Sequence, residues 1–251
     1  MSGRVSRRAT GSRRRFPAHQ YGVTVAEHED HSRVPELRWA SLSHRQVLAA
    51  LIEAGWVPSG VGDWATGLRS PDGTLVARIC PFDPAYAAFV ELCRVCAGNP
   101  WLPKIELAAE LEGGGSAVFL EYAAPAGPEV AEELAERFRD GDGTGFDDEF
   151  QQVRDAAGKI DASYRAATPW WDGLDLNEAH VRRALDGRLI LIDIFCMDGA
   201  ALYGMILDDL AEVHRRMPRD RMRYVLEIPY IARESSPAEI AALRNAWSAL
   251  D

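Results

Sequence analysis

The chain has 251 residues, a hydrophobic fraction of 47%, a charged fraction of 26% and a formal charge of −10, ordinary values for a soluble globular protein built as one domain or one bilobal unit. An acidic body is a poor nucleic-acid binder, and no apolar run approaches the roughly 18–20 residues that cross a bilayer. Four cysteines (Cys80, Cys93, Cys96, Cys196) lie in apolar contexts with no secretory signal, so the expectation is a cytoplasmic protein with reduced, buried thiols. Cys93 and Cys96 form a C-x-x-C with no second Cys or His pair at zinc spacing, which reads as core helix.

Residues 1–20 hold Arg4, Arg7, Arg8, Arg13, Arg14 and Arg15 and no acid. Residues 1–34 have no hydrophobic periodicity and are expected to be an unstructured basic tail, with a nucleic-acid arm as the alternative. A twin-arginine export signal fails because Pro17 to Arg33 is polar.

A helix is predicted from about Ser43 to Ala54, with Ser43 as cap, Val47, Leu48, Leu51 and Ile52 on one face, and Gly55 as stop. Trp56 to Gly67 reads as strand-turn-strand, Ser70-Pro71-Asp72-Gly73 as a turn and Thr74 to Cys80 as a strand. A helix over Pro84 to Cys96 and two strands, Ile105 to Leu111 and Ala117 to Tyr122, complete a compact antiparallel lobe. After a linker, Ala123 to Pro128, come helices over Glu129–Phe138 and Asp147–Ala166, with an acidic glycine-rich loop, Asp140 to Gly145, between them. Leu189 to Ile192 is a buried strand, and 202–216 and 237–250 read as helices. The expected units are therefore a tail (1–34), a β-rich lobe (35–122) and a helical lobe (123–251).

Within the second unit, Leu174 to Asp198 reads LDLNEAHVRRALDGRLILIDIFCMD. An apolar strand ends there on Asp193, and a buried carboxylate must be paired or hold a cation. Asp175 lies one hairpin earlier and can face the same cleft, an arrangement suited to metal-assisted phosphoryl transfer. This segment resembles the catalytic loop and metal-binding segment of the protein-kinase-like superfamily, which includes the aminoglycoside and small-molecule phosphotransferases. The frame D-L-x-x-x-N followed by D-F-G or D-x-x is Asp175-Leu176-Asn177-Glu178-Ala179-His180 and then Asp193-Ile194-Phe195, the two aspartates 18 positions apart. Three departures stand out: His180 replaces the loop Asn, Leu174 replaces the Arg before the loop Asp, and no Gly follows Phe195.

The resemblance implies an α+β, bilobal protein-kinase-like fold and assigns further residues over about 56–215. Gly60-Val61-Gly62-Asp63-Trp64-Ala65 resembles the glycine-rich turn over ATP phosphates. Val76-Ala77-Arg78 resembles the strand that carries the phosphate-pairing lysine. The chain's two lysines, Lys104 and Lys159, lie elsewhere, so Arg78 would serve, with Glu91 on the following helix as its partner. Asn99 to Lys104 resembles the link into the fourth strand. Phe119 to Ala123 resembles the hinge, with Glu121 and Ala123 offering backbone groups to an adenine edge. Asp175 would orient or deprotonate an acceptor hydroxyl and Asp193 would hold Mg²⁺. His180 stands at the second metal position, where Glu178 or Asp198 are possible substitutes because Mg²⁺ prefers oxygen. Trp170 and Trp171 are expected to pack at the base of the lobe.

Two functions follow from the resemblance. One is a divergent phosphotransferase moving the ATP γ-phosphate to the hydroxyl of a small molecule or an unusual protein. The other is a pseudokinase, a nucleotide-binding or protein-interaction module without catalysis, favoured by Arg78, His180 and Ile194-Phe195-Cys196.

Overall fold

The computed structural model describes residues 34–140 and 147–249. The expected basic tail, apart from Val34, and most of the loop from Asp140 to Gly145 lie outside the described residues.

Ser43 opens the first helix, α1 (His44–Glu53), with a capping box in which Ser43 and Gln46 satisfy each other's backbone N–H groups. The helix stops at Gly55, whose φ of +88° is readily adopted only without a Cβ. Next come β1 (Val57–Val61), β2 (Thr66–Arg69) and β3 (Leu75–Cys80), then α2 (Pro84–Val95), β4 (Ile105–Glu110) and β5 (Ser116–Glu121). These strands form one antiparallel sheet of order β1-β2-β3-β5-β4. The predicted turn between β2 and β3 is drawn together by Asp72, which accepts from Ser70 Oγ (2.6 Å) and Thr74 N (3.0 Å).

The two-residue period of β5 divides the interior. Ala117 and Phe119 face α1, in a core with Val47, Leu51, Trp56 and Leu68. Val118 and Leu120 face the other way, into a larger core shared with α2 and the second lobe. Helix α2 is therefore the structural bridge, packing on the sheet, on a long helix of the second lobe and on one of that lobe's strands.

The second lobe begins with β6 (Ala123–Pro125) and the helices α3 (Pro128–Asp140) and α4 (Asp148–Ala167). Four short strands follow: β7 (Trp171–Leu174), β8 (Val181–Ala184), β9 (Leu189–Leu191) and β10 (Phe195–Met197). Helices α5 (Gly199–Asp208), α6 (Leu210–Arg216), α7 (Pro229–Glu234) and α8 (Pro237–Ser248) complete it. Strand β7 pairs with β10, and β6-β8-β9 form a small antiparallel sheet. The architecture is α+β and bilobal, with an antiparallel β lobe and a mostly helical lobe. Among the described residues no helix is long and apolar enough to cross a membrane.

Three expectations need correction. The single helix over 202–216 is two, because Asp209 leaves helical geometry (φ −153°) and accepts from Glu212 N to cap α6. The strand expected to run to Ile192 ends at Leu191, and Asp193 turns into the left-handed region (φ +51°). Strands β6, β7, β8 and β10 and helix α7 are additional elements, β6 lying within the expected linker. Trp170 and Trp171 are buried in the larger core as expected, and all four cysteines are free thiols.

The glycines between β4 and β5 bring the lobes into backbone contact. Arg223 N donates to Gly113 O (3.2 Å), and a Cβ at Gly114 would lie 1.7 Å from the Arg221 carbonyl oxygen. Gly98 has a similar φ of +83° with nothing within 4 Å of its Cβ position. Gly98→Ala should therefore lose only about 1 kcal/mol, the cost of left-handed geometry in an L-residue, while Gly114→Ala should lose several-fold more. Urea denaturation midpoints of the two variants check the difference, and equal midpoints would mean the interlobe contact does not constrain Gly114.

Candidate functional site

Between the lobes lies a cleft of about 980 Å³. Its roof is the end of β1 with Gly60, the turn to β2 with Gly62, and Val76 and Arg78 of β3. Tyr122 and Ala123 line its linker end. Asp172, Asp175, His180, Arg182 and Asp193 line its floor. The structure thus brings together seven of the predicted residues: Gly60, Gly62, Arg78, Ala123, Asp175, His180 and Asp193. Glu91 and Glu121 are not among the cleft residues. A second, more apolar cavity of about 310 Å³ lies behind Asp83 and Tyr86 and contains none of the predicted residues.

Arg78 is the electrostatic centre. Its Nη2 donates to Asp83 Oδ2 (2.5 Å) and Asp193 Oδ2 (3.3 Å), and its guanidinium carbon sits 3.7 Å from the Tyr86 ring centroid. The side chains of Arg78 and Asp83 are only 12% and 2% exposed, against 32% for Asp193. Burial works against the guanidinium's charge, but attraction from Asp193 and then Asp83 outweighs it, and the Arg78 pKa is raised. Burial pushes the Asp83 carboxyl upward, with Arg78 opposing it.

Asp83 was not singled out in the sequence, yet it has two tasks. Its Oδ1 accepts from Tyr86 N (3.2 Å), capping α2 ahead of Pro84 at the first helical position. The Asp-Pro pair at the helix start was the available signal. This overturns the expected Arg78–Glu91 pair: Asp83 stands at the end of α2 nearest β3, while Glu91, two turns on, accepts from Tyr164 Oη (3.0 Å) on α4.

The loop after β7 is locally built. Asp175 N donates to Ile194 O (2.9 Å), joining the two acidic segments through the backbone. Asn177 directs Nδ2 at both Asp175 carboxylate oxygens (3.4 and 3.3 Å) and accepts from Ala179 N (2.9 Å). His180 Nδ1 lies 2.6 Å from the Asp175 carbonyl oxygen. A carbonyl can only accept, so Nδ1 carries the proton and Nε2 alone is left for a metal. Asp198 uses Oδ1 to cap α5, accepting from Ala201 N (2.8 Å). Among the described residues no three His, Cys, Asp or Glu side chains are grouped to hold a metal.

Helix α4 supports this loop. Asp161 Oδ1 accepts from Trp171 Nε1 (2.8 Å), and Arg165 Nη2 donates to Asp172 O (3.1 Å). Gly173 holds a φ of +118°, which an L side chain adopts only with strain, and the Arg165 guanidinium passes where its Cβ would sit. The Cys196 thiol is pushed up to about 12 by burial, then by Asp172 and Asp175, which favours the neutral thiol.

Part of the linker backbone is engaged within the protein. The N–H groups of Glu121 and Tyr122 already donate to Lys104 O (3.0 Å) and Thr74 O (2.8 Å). The Glu121 carboxylate accepts two hydrogen bonds from Arg188 Nη2 (2.9 and 2.8 Å), tying the lobes together away from the cleft. Ala123 pairs with Ala184 across β6 and β8.

The glycine-rich turn is fastened to the helical lobe. Tyr230 N donates to Asp63 O (2.7 Å), and the Asp63 carboxylate pairs with Arg233. Trp64 lies against Gly199, where a Cβ would come 3.3 Å from its ring. Gly60 has open space at its Cβ position, and Gly62 N closes the turn on Ala65 O (2.9 Å).

No family model and no curated protein matches this chain. Among solved structures the chain is similar to an aminoglycoside phosphotransferase from Streptomyces rimosus, 13% identical over 82% of this chain and 99% of that one, with a TM-score of 0.33. So loose a superposition carries no chemistry across; the bilobal assignment stands on the sheet order and the helical lobe.

Removing the guanidinium isolates a buried carboxylate. Arg78→Met should cost about 3–5 kcal/mol in urea unfolding, the usual penalty for breaking a buried pair. Adding Asp83→Asn, which keeps an oxygen for the Tyr86 N–H, should recover part of it. A double variant no more stable than Arg78→Met would show that the pair is not what holds this corner.

Proposed function

We propose that the chain is a kinase-like phosphotransferase, moving the γ-phosphate of a nucleoside triphosphate, ATP on the family pattern, to a hydroxyl acceptor. The observation that carries this reading is the joining of Asp175 to the Asp193 segment by the Asp175 N–Ile194 O bond, in one cleft beneath a glycine-bearing turn. Asp175, its carboxylate aligned by Asn177, would accept or orient the acceptor's proton. The Nη1 of Arg78 is buried without a hydrogen-bond partner, a donor that a phosphate oxygen suits. The donor set fits Mg²⁺, which is commonly held through one or two carboxylates and substrate phosphates and needs no protein cage. Asp193, partly exposed to the cleft, would hold it, and His180 could contribute only Nε2. When bound, the ion neutralises charge on the β- and γ-phosphates.

The second reading is a nucleotide-binding module without catalysis. It is favoured by one specific observation: Asp193 already accepts from Arg78.

Thermal stability with nucleotide and Mg²⁺, and release of the nucleoside diphosphate against a panel of small hydroxyl compounds and proteins, separate the two. On the catalytic reading Asp175→Ala keeps nucleotide stabilisation, about 2.7 kcal/mol at 100 times Kd, and loses about 10²–10⁴-fold in turnover. Asp193→Ala loses the Mg²⁺-dependent part of the stabilisation. Stabilisation with no turnover against any acceptor selects the second reading, and no stabilisation by any nucleotide removes both.

A further inference from the structure

Arg182 has no part in the chemistry above, yet it lines the cleft floor. It lies on β8, opposite Pro125 of β6 and Ile190 of β9. Tyr122 and Ala123 of the linker, with Val76, Leu120 and Ile192, line the same cleft and carry no charge to match it. The Nε of Arg182 is buried without a hydrogen-bond partner. Burial lowers its pKa, with Tyr122 the opposing influence, and among the described residues no carboxylate forms an ion pair with it. A buried donor left unsatisfied is costly, and a guanidinium has only donors to offer. It therefore calls for acceptors in whatever fills this end of the cleft.

On the phosphotransfer reading, the occupant here is the nucleotide base. Of the linker N–H groups beside this end of the cleft, those of Glu121 and Tyr122 already donate within the protein. Adenine presents an amino donor beside its N7 acceptor, whereas guanine presents two adjacent acceptors, O6 and N7, the pair that an arginine fork matches. We propose that Arg182 is a specificity-determining residue, selecting a guanine-type purine nucleotide over an adenine one. This rests on the nucleotide-binding reading and sharpens it from any nucleoside triphosphate to one with acceptors on its base edge.

Isothermal titration calorimetry of the full chain with GTP·Mg²⁺ and ATP·Mg²⁺, on wild type, Arg182→Ala and Arg182→Lys, tests it. Wild type should bind GTP more tightly than ATP. Both variants should weaken GTP by about 5- to 150-fold, the span of a good bidentate arginine–base contact, and leave ATP nearly unchanged. The lysine variant keeps the charge and loses the fork, so the test survives an alanine variant that does not fold. Equal binding of the two nucleotides, or an ATP preference untouched by either variant, overturns the proposal and leaves nucleotide binding intact. Tighter ATP binding by Arg182→Ala also overturns it, because Arg182 would then be obstructing the base site. Binding of neither nucleotide removes the phosphotransfer reading, and this inference with it.

Discussion

One buried guanidinium organises this molecule. Arg78 leaves the middle of the five-stranded sheet, meets the first turn of α2 through Asp83, and reaches the loop after β9 through Asp193. Charges this far from water are stable only when paired, so the three segments are placed by a shared electrostatic requirement. Tyr86 supplies an aromatic face against the same group. The arrangement sets the height of the cleft, because its roof strand and an acidic residue of its floor meet in a single side chain.

The floor is ordered by shorter-range means. Asn177 serves its own turn and the Asp175 carboxylate at once, and His180 returns to the Asp175 carbonyl. Beneath them Asp161 and Arg165 of α4 hold β7, with a glycine where the guanidinium passes. A rigid helix thus carries a loop that would otherwise have little to fix its acidic side chains.

Much of the layout is legible in the sequence because its long elements repeat their pattern over several periods. Helices α2 and α4 show full apolar stripes, and β3 and β5 alternate between a face toward α1 and a face toward α2. The pairing of β7 with β10 is not legible: three or four residues hold too little periodicity, and the partners lie some twenty positions apart. The hairpin acids could be found from their spacing and their apolar flank. Asp83 escaped because a helix-capping Asp before Pro is common and says nothing of a distant strand. The Arg78–Glu91 expectation failed for the same reason, since sequence order does not reveal which carboxylate on a helix lies nearest a buried cation. Glu121 was read for its backbone, whereas its carboxylate binds Arg188 from the other lobe.

The tip of the glycine-bearing turn is not a free flap. Asp63 is joined to α7 through its carbonyl and its carboxylate, and Trp64 rests on the first turn of α5. Lifting the turn therefore requires breaking these contacts or carrying α7 along with it. The roof and the far end of the helical lobe consequently behave as one mechanical body, and the width of the cleft mouth is coupled to how firmly a six-residue helix is seated.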